Sequence, residues 1–246
     1  MKKPAKLRVW RKGLYSVAEA TDLLGSSYTL IQTRYSTRAE TERASLCWSA
    51  RPMGLGLLRL IGMFRAHVLK RVAEEKITHP QRVPWGSAAW EIKTGEQYEV
   101  DLKAAYAHAA LAIGAIDPAW LARLLRISRH SRLAIVGSLA TVKHVSEIRD
   151  GKVIERHTER DFKTGKVYQS IRAKTDEIMD ALAWGKGWYW VDAQFQEEKL
   201  AGRIHEAAGE LGFPAHPPER VVVSEIRGRR VILEDGRFFY PRRLSA

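Results

Sequence analysis

One cysteine, Cys47, stands among 246 residues. No intrachain disulfide can form, and no cysteine-built zinc site. Long apolar runs are missing as well. The most apolar early stretch, "MGLGLLRLIGMF", is interrupted by Arg59 and is too short to span a bilayer. The basic start, "MKKPAKLRVWRKG", is followed by no apolar segment of signal-peptide length. The expectation is a soluble, cytoplasmic protein with no membrane partner. Acids are scarce: 28 Asp+Glu against 41 Lys+Arg leave a formal charge of +13. Such a surplus makes a polyanion the default partner, through counterion release and steering. Familiar catalytic signatures are absent. There is no G-x-x-x-x-G-K-[ST] loop, no G-x-S-x-G elbow and no H-E-x-x-H pair among the eight histidines. No internal repeat, low-complexity segment or sustained heptad is seen.

What is present is a globular composition, 45% hydrophobic, long enough for one large domain or two small ones. Residues 1–87 read as a basic α/β region. "YTLIQTRY" alternates as a strand does. "LGLLRLIGMFRAHVLKRVAEEK" has apolar residues at helical spacing and is closed by Pro80 and Pro84. Residues 88–213 form the core. "AAWEIKTGEQYEVDL" reads as a hairpin turning at Gly95, and "KAAYAHAALAIGAI" as a helix. A further helix starts with Asp117 as N-cap and Pro118 in the first position. Its arginines, Arg123, Arg126, Arg129 and Arg132, recur every three residues and suggest a cationic stripe, with Lys143 further on. "RDGK" and "KTGK" read as turns of a polar hairpin, and Ser170 as the cap of the next helix. "WYWVDAQF" has the aromatic and β-branched content of a buried strand, and "QEEKLAGRIHEAAGELG" returns to helix. Residues 214–246 open with the stiff "PAHPPE" and read as short strands, a small C-terminal β region.

Two acids stand out. Asp101 ends the strand of "YEVDLKAAY" and Asp192 ends that of "GWYWVDAQF". Each is followed by helical sequence, so each suits a helix N-cap, an arrangement worth about 1 kcal/mol. Each also suits a metal site, since carboxylates supply the hard oxygens that Mg²⁺ prefers. The metal reading requires the fold to bring together residues that are remote in sequence.

Three stretches carry a resemblance to family B DNA polymerases. "YEVDLKAAYAHA" resembles the first palm motif, an Asp, two variable residues, then Ser-Leu-Tyr-Pro. Asp101 falls on the Asp and Tyr106 on the Tyr, while Ala104, Ala105 and Ala107 replace the others. "RHSRLAIVG" resembles the fingers motif Lys-x-x-x-Asn-Ser-x-Tyr-Gly, with Arg129 on the Lys and Gly137 on the Gly, and Leu133 and Val136 on the Asn and Tyr. "GWYWVDAQF" resembles Tyr-x-Asp-Thr-Asp-Ser. Asp192 falls on the second Asp, Trp190 on the first, and Ala193 on the Ser. The resemblance spans residues 88–195.

The resemblance implies an α+β fold with a central antiparallel, palm-like sheet, helices on one face, and small fingers and thumb-like additions. Its implied activity is Mg²⁺-dependent (or Mn²⁺-dependent) nucleotidyl transfer on DNA or RNA by two metal ions, as in a minimal DNA polymerase or primase of a virus or mobile element. Asp101 and Asp192 would be the catalytic metal ligands, with the backbone carbonyls of Val100 and Leu102 completing the shell. Tyr106, Arg129, Lys103 and Arg132 would meet the nucleoside triphosphate. Lys143, Arg237 and Tyr240 would touch nucleic acid. The departures leave two alternatives: a non-catalytic nucleic-acid-binding protein on a degenerate palm, or a metal-dependent nuclease.

Overall fold

The computed structural model describes residues 7–11, 14–34, 36–49, 55–81, 85–87, 92–183 and 188–244. Residues 88–91 of the expected hairpin, Pro84 and Trp184 lie outside them. In chain order the elements are β1 (Leu7–Arg11), α1 (Val17–Leu24), β2 (Ser27–Gln32), β3 (Ser36–Glu40), β4 (Ala44–Ser49), α2 (Leu55–Ala73), β5 (Trp85–Ser87), β6 (Gly95–Asp101), α3 (Ala105–Ala112), α4 (Pro118–Leu125), α5 (Arg129–Gly137), β7 (Val142–Arg149), β8 (Lys152–Arg160), α6 (Phe162–Ala181), β9 (Trp188–Trp190), β10 (Ala193–Gln196), α7 (Glu198–Glu210), β11 (Glu219–Arg227), β12 (Arg230–Leu233), β13 (Phe238–Phe239) and β14 (Arg242–Leu244). The class is α+β. Among these helices none is long and apolar enough to cross a membrane.

The chain divides into two compact units, residues 1–69 with 133–166, and residues 70–132 with 167–246. The units therefore interleave along the chain, unlike the linear division at 87 and 213 read from sequence. The reason is strand pairing. β7 joins β2, which draws residues far along the chain into the first unit.

The first unit holds a sheet of order β1-β4-β3-β2-β7-β8. β1 pairs with β4 in parallel; the other pairs are antiparallel. Tyr28, Leu30, Ala39, Leu46 and Trp48 alternate onto one face and close over Ala20 of α1. The "RDGK" turn is as expected. Asp150 and Gly151 both have positive φ, 51° and 74°, and link β7 to β8 as a two-residue hairpin loop. The "KTGK" turn is not formed. Asp161 accepts a hydrogen bond from the Thr164 N–H and starts α6 there, so Gly165 lies in a helical turn. Ser170 is accordingly no cap. It is buried inside α6, where its Oγ lies 2.6 Å from His79 Nδ1.

The second unit holds the order β13-β12-β11-β6-β10-β9-β14-β5, curled into a nearly closed, barrel-like sheet. β11, β12 and β13 extend the sheet outward from β6. One face gathers Trp188, Ala193, Phe195, Val221, Val223, Val231 and Leu233 into a core. Trp188 and Phe195 stack there at 3.8 Å with an interplanar angle of 6°. On the other face Gln194 donates to the Met179 carbonyl of α6, and α7 packs on β6 and β10.

α4 begins as its sequence predicts, with Asp117 Oδ1 accepting from the Trp120 N–H at 2.9 Å and Pro118 in the first turn. Asp117→Ala is expected to lower stability by about 1 kcal/mol, with Asp117→Ser recovering most of it, as read from urea unfolding midpoints. The arginine stripe is interrupted. α4 ends at Leu125 and α5 starts at Arg129, with Ser128 Oγ accepting from the Ser131 N–H. The four arginines thus do not share one helix face.

Candidate functional site

The two aspartates meet through strand register. Asp101 of β6 lies opposite Ala193 of β10, and Ala193 opposite Trp190 of β9. Asp101, Ala193 and Trp190 thus form one row across three strands, on the face of the apolar core. Asp192 occupies the tight turn Val191-Asp192 between β9 and β10, and its carbonyl accepts from the Leu102 N–H at 2.8 Å. "WYWVDAQF" is therefore a hairpin, not one strand. Acids 91 positions apart (192 − 101) come to rest on neighbouring backbone.

Neither acid caps a helix. The N-cap of α3 is Ala104, in left-handed backbone at φ 52° with no side-chain bond. The N-cap of α7 is Glu197, again without a side-chain bond. The hairpin turn is instead made by Val191 at φ 56°. A β-branched residue in that region stores strain, roughly 1–3 kcal/mol. Val191→Asn, which suits left-handed backbone, is expected to raise stability by about 1 kcal/mol in urea unfolding.

Burial shapes the electrostatics. The carboxyl of Asp101 is raised above its ordinary range by desolvation, and Arg129, His216 and Arg237 pull it back. Asp192 is pushed up to about 6, first by desolvation and next by the charge of Asp101, with Arg129 opposing. The two acids repel each other, and Arg129 acts on both.

Of the other expected residues, Arg129 is brought to the acids, at the first position of α5. Tyr106 is brought close as well. It sits half-buried on α3, edge-on to Tyr168 at 6.3 Å, with its hydroxyl pushed up to about 12 by burial and by Tyr168, and further by the charge of Asp192. Lys103 is exposed beside Asp101, its N–H donating to the Pro214 carbonyl at 2.7 Å. Arg132 turns to the end of α4, donating to the carbonyls of Leu124 and Ile127. Val100 and Leu102 bury their side chains on the face opposite Asp101, and their backbones lie in the strand ladder. Arg237 pairs with Glu99 and Asp235, each at 2.7 Å, and its charge reaches Asp101. Tyr240 packs on Trp190 with ring centroids 5.7 Å apart. Lys143 belongs to the first unit, 3.6 Å from Glu159 across β7 and β8.

Sequence reasoning missed Glu99 and His216. Glu99 lies two residues before Asp101, so strand alternation puts both on one face; that spacing was the available signal. His216 had none. Its N–H donates to the Asp101 carbonyl at 2.8 Å, and Leu102 bridges Ala215. Glu99, however, pairs with Glu219. Residues 215 to 219 thus oppose 99 to 102, one residue in excess, and Pro217-Pro218 absorbs it as a bulge. Arg172 and Asp176 of α6 also act on the Tyr106 hydroxyl.

As a metal site the donors fit in kind: two hard carboxylates, close and partly desolvated. Among the described residues no group of three or more His, Cys, Asp and Glu is arranged to hold an ion, and Glu99 is engaged by Arg237. The side-chain ligands available are the two aspartates. Compared with protein-family models, curated proteins and solved structures, the chain has no match.

Proposed function

We propose that this chain is a nucleotidyl transferase acting on nucleic acid with Mg²⁺ or Mn²⁺, of the reduced DNA polymerase or primase kind. The observation that carries the reading is the meeting of Asp101 and Asp192, remote in sequence and free of helix-capping duty, beside Arg129. β6 with the β9–β10 hairpin is read as the palm, with α7 against its outer face, α5 as the fingers helix and β11 to β13 as an extension of the palm sheet.

Asp101 and Asp192 would hold the metal ions, whose chemistry is to activate the attacking hydroxyl and steady the leaving phosphate oxygen. The chain's own residues supply the rest. Arg129 presents a planar, bidentate cation to the triphosphate and tempers the repulsion between the acids. The Tyr106 ring, braced by Tyr168, forms a wall against the sugar. Lys103, two residues after Asp101, offers an exposed cation. Arg237 pairs with Glu99, the third carboxylate of this face, at 2.7 Å. The formal charge of +13 suits a nucleic-acid partner.

One observation favours a second reading, a nucleic-acid-binding protein on a degenerate palm: the third carboxylate of this face, Glu99, is already neutralised by Arg237. Primer–template, nucleoside triphosphates and Mg²⁺ or Mn²⁺ separate the readings. Primer extension is the expected result. Shortening of the primer would indicate a nuclease, and binding with no change in length the non-catalytic protein.

A further inference from the structure

The β12–β13 ribbon carries an arginine–aromatic cluster that the acid site does not use. Ile232 pairs with Phe238 and Val231 with Phe239. Alternation sends Val231 and Phe239 into the core, and Arg230, Ile232, Phe238 and Tyr240 to the outer face. There Arg230 Nε donates to the Tyr240 hydroxyl at 2.8 Å. The guanidinium lies 5.3 Å from the Phe238 ring centre and 5.5 Å from that of Tyr240. The two rings stand edge to face at 6.1 Å. Phe238 is 55% exposed and Tyr240 37%. Arg227 lies opposite Arg230 on β11, and the exposed Arg229 is in the turn between them. Among the described residues Arg230 has no carboxylate partner; its contacts are the hydroxyl and the two rings.

Exposed rings ordinarily cost solvation, and a ribbon face built of them asks for a cover. The cover must be flat and aromatic to lie on Phe238 and Tyr240, and anionic to satisfy Arg229 and Arg230, since Arg227 already pairs with Glu225. A protein segment seldom combines the two at each repeat, whereas a single nucleic-acid strand does. A duplex does not fit, because its bases are already stacked on one another. Tyr240 also packs on Trp190, which shares a row with Ala193 and Asp101.

We propose that Arg230, Phe238 and Tyr240, with Arg229 beside them, form a stacking platform for single-stranded nucleic acid. The platform does not depend on catalysis at Asp101 and Asp192, and its test needs neither metal nor triphosphate.

Fluorescence anisotropy with a 5′-labelled mixed-sequence 20-mer, as single-stranded DNA, single-stranded RNA and duplex, reads the binding. The full chain is expected to prefer a single strand to the duplex. Phe238→Ala and Arg230→Gln are each expected to weaken single-strand binding about tenfold, the scale of one lost base stack. Phe238→Trp should bind as the parent does, which separates stacking from a general disturbance; circular dichroism checks the fold of each variant. Equal affinity for strand and duplex, no binding to any of the three, or Phe238→Ala binding as tightly as the parent would overturn the platform. A chain that fails to extend primers yet shows this pattern keeps it.

Discussion

Asp101→Asn and Asp192→Asn are each expected to lower nucleotide incorporation by at least about a hundredfold, the scale on which removal of one group stabilising transition-state charge is felt. Asparagine keeps the shape and removes the charge that would hold a divalent cation. The same substitutions separate a functional acid from a structural one. For Asp192 the sign of the stability change is opposite to that of a cap. Its folded pKa is pushed up from 3.8 to about 6. The folded state therefore binds more protons than the unfolded one between about pH 4 and pH 6, and stability falls as pH rises through that window. Above it, the buried carboxylate carries its full penalty. Asp192→Asn removes that penalty, so the variant is expected to melt at a higher temperature than the parent at pH 7 to 8, the gap closing below about pH 4. Mg²⁺ should narrow the gap by stabilising the parent alone. Melting curves across this range, with and without Mg²⁺, check it. A variant that lost stability at neutral pH along with activity would remove the metal reading.

Gly114→Ala is expected to cost about 3 kcal/mol or more, enough to endanger folding in a protein of ordinary stability. Gly114 follows α3 with φ +77°. A Cβ there would sit 2.2 Å from the Lys76 carbonyl oxygen, which is backbone and cannot swing away. The Gly114 carbonyl accepts from Arg71 Nε at 2.8 Å, and the Thr78 N–H donates to the Ile113 carbonyl at 2.9 Å. Residues 71–78 are thus pinned to the end of α3, the helix that carries Tyr106. Gly212→Ala is the internal control. Its φ is +79°, but nothing lies within 4 Å of the added carbon. Only the backbone penalty of about 1 kcal/mol is expected there. Urea unfolding of both variants should show the steric excess at Gly114.

Local patterns were legible where one residue decides the local structure. Asp117-Pro118 announced α4, the alternation of "YTLIQ" announced β2, and Asp-Gly announced the β7–β8 turn. Where two signals competed, reading by segment failed. "KTGK" looks like a turn, but Asp161 captured the Thr164 N–H and wound it into α6. "WYWVDAQF" looks like one strand because nothing about Val191 advertises a left-handed backbone. The arginine period of three looked like a stripe until Ser128 divided it.

The sequence by itself determined the α+β composition, the excess of positive charge and the two isolated acids in apolar surroundings. The tertiary structure decided what those acids are neighbours to. Strand pairing between β6 and β10 and a strained hairpin turn place Asp192 beside Asp101, and the proline bulge brings in His216. The reason is physical. Capping, alternation and turn chemistry act over a few residues and are written locally. Register between strands almost a hundred residues apart depends on which apolar faces close over one another, and no short stretch of sequence encodes that.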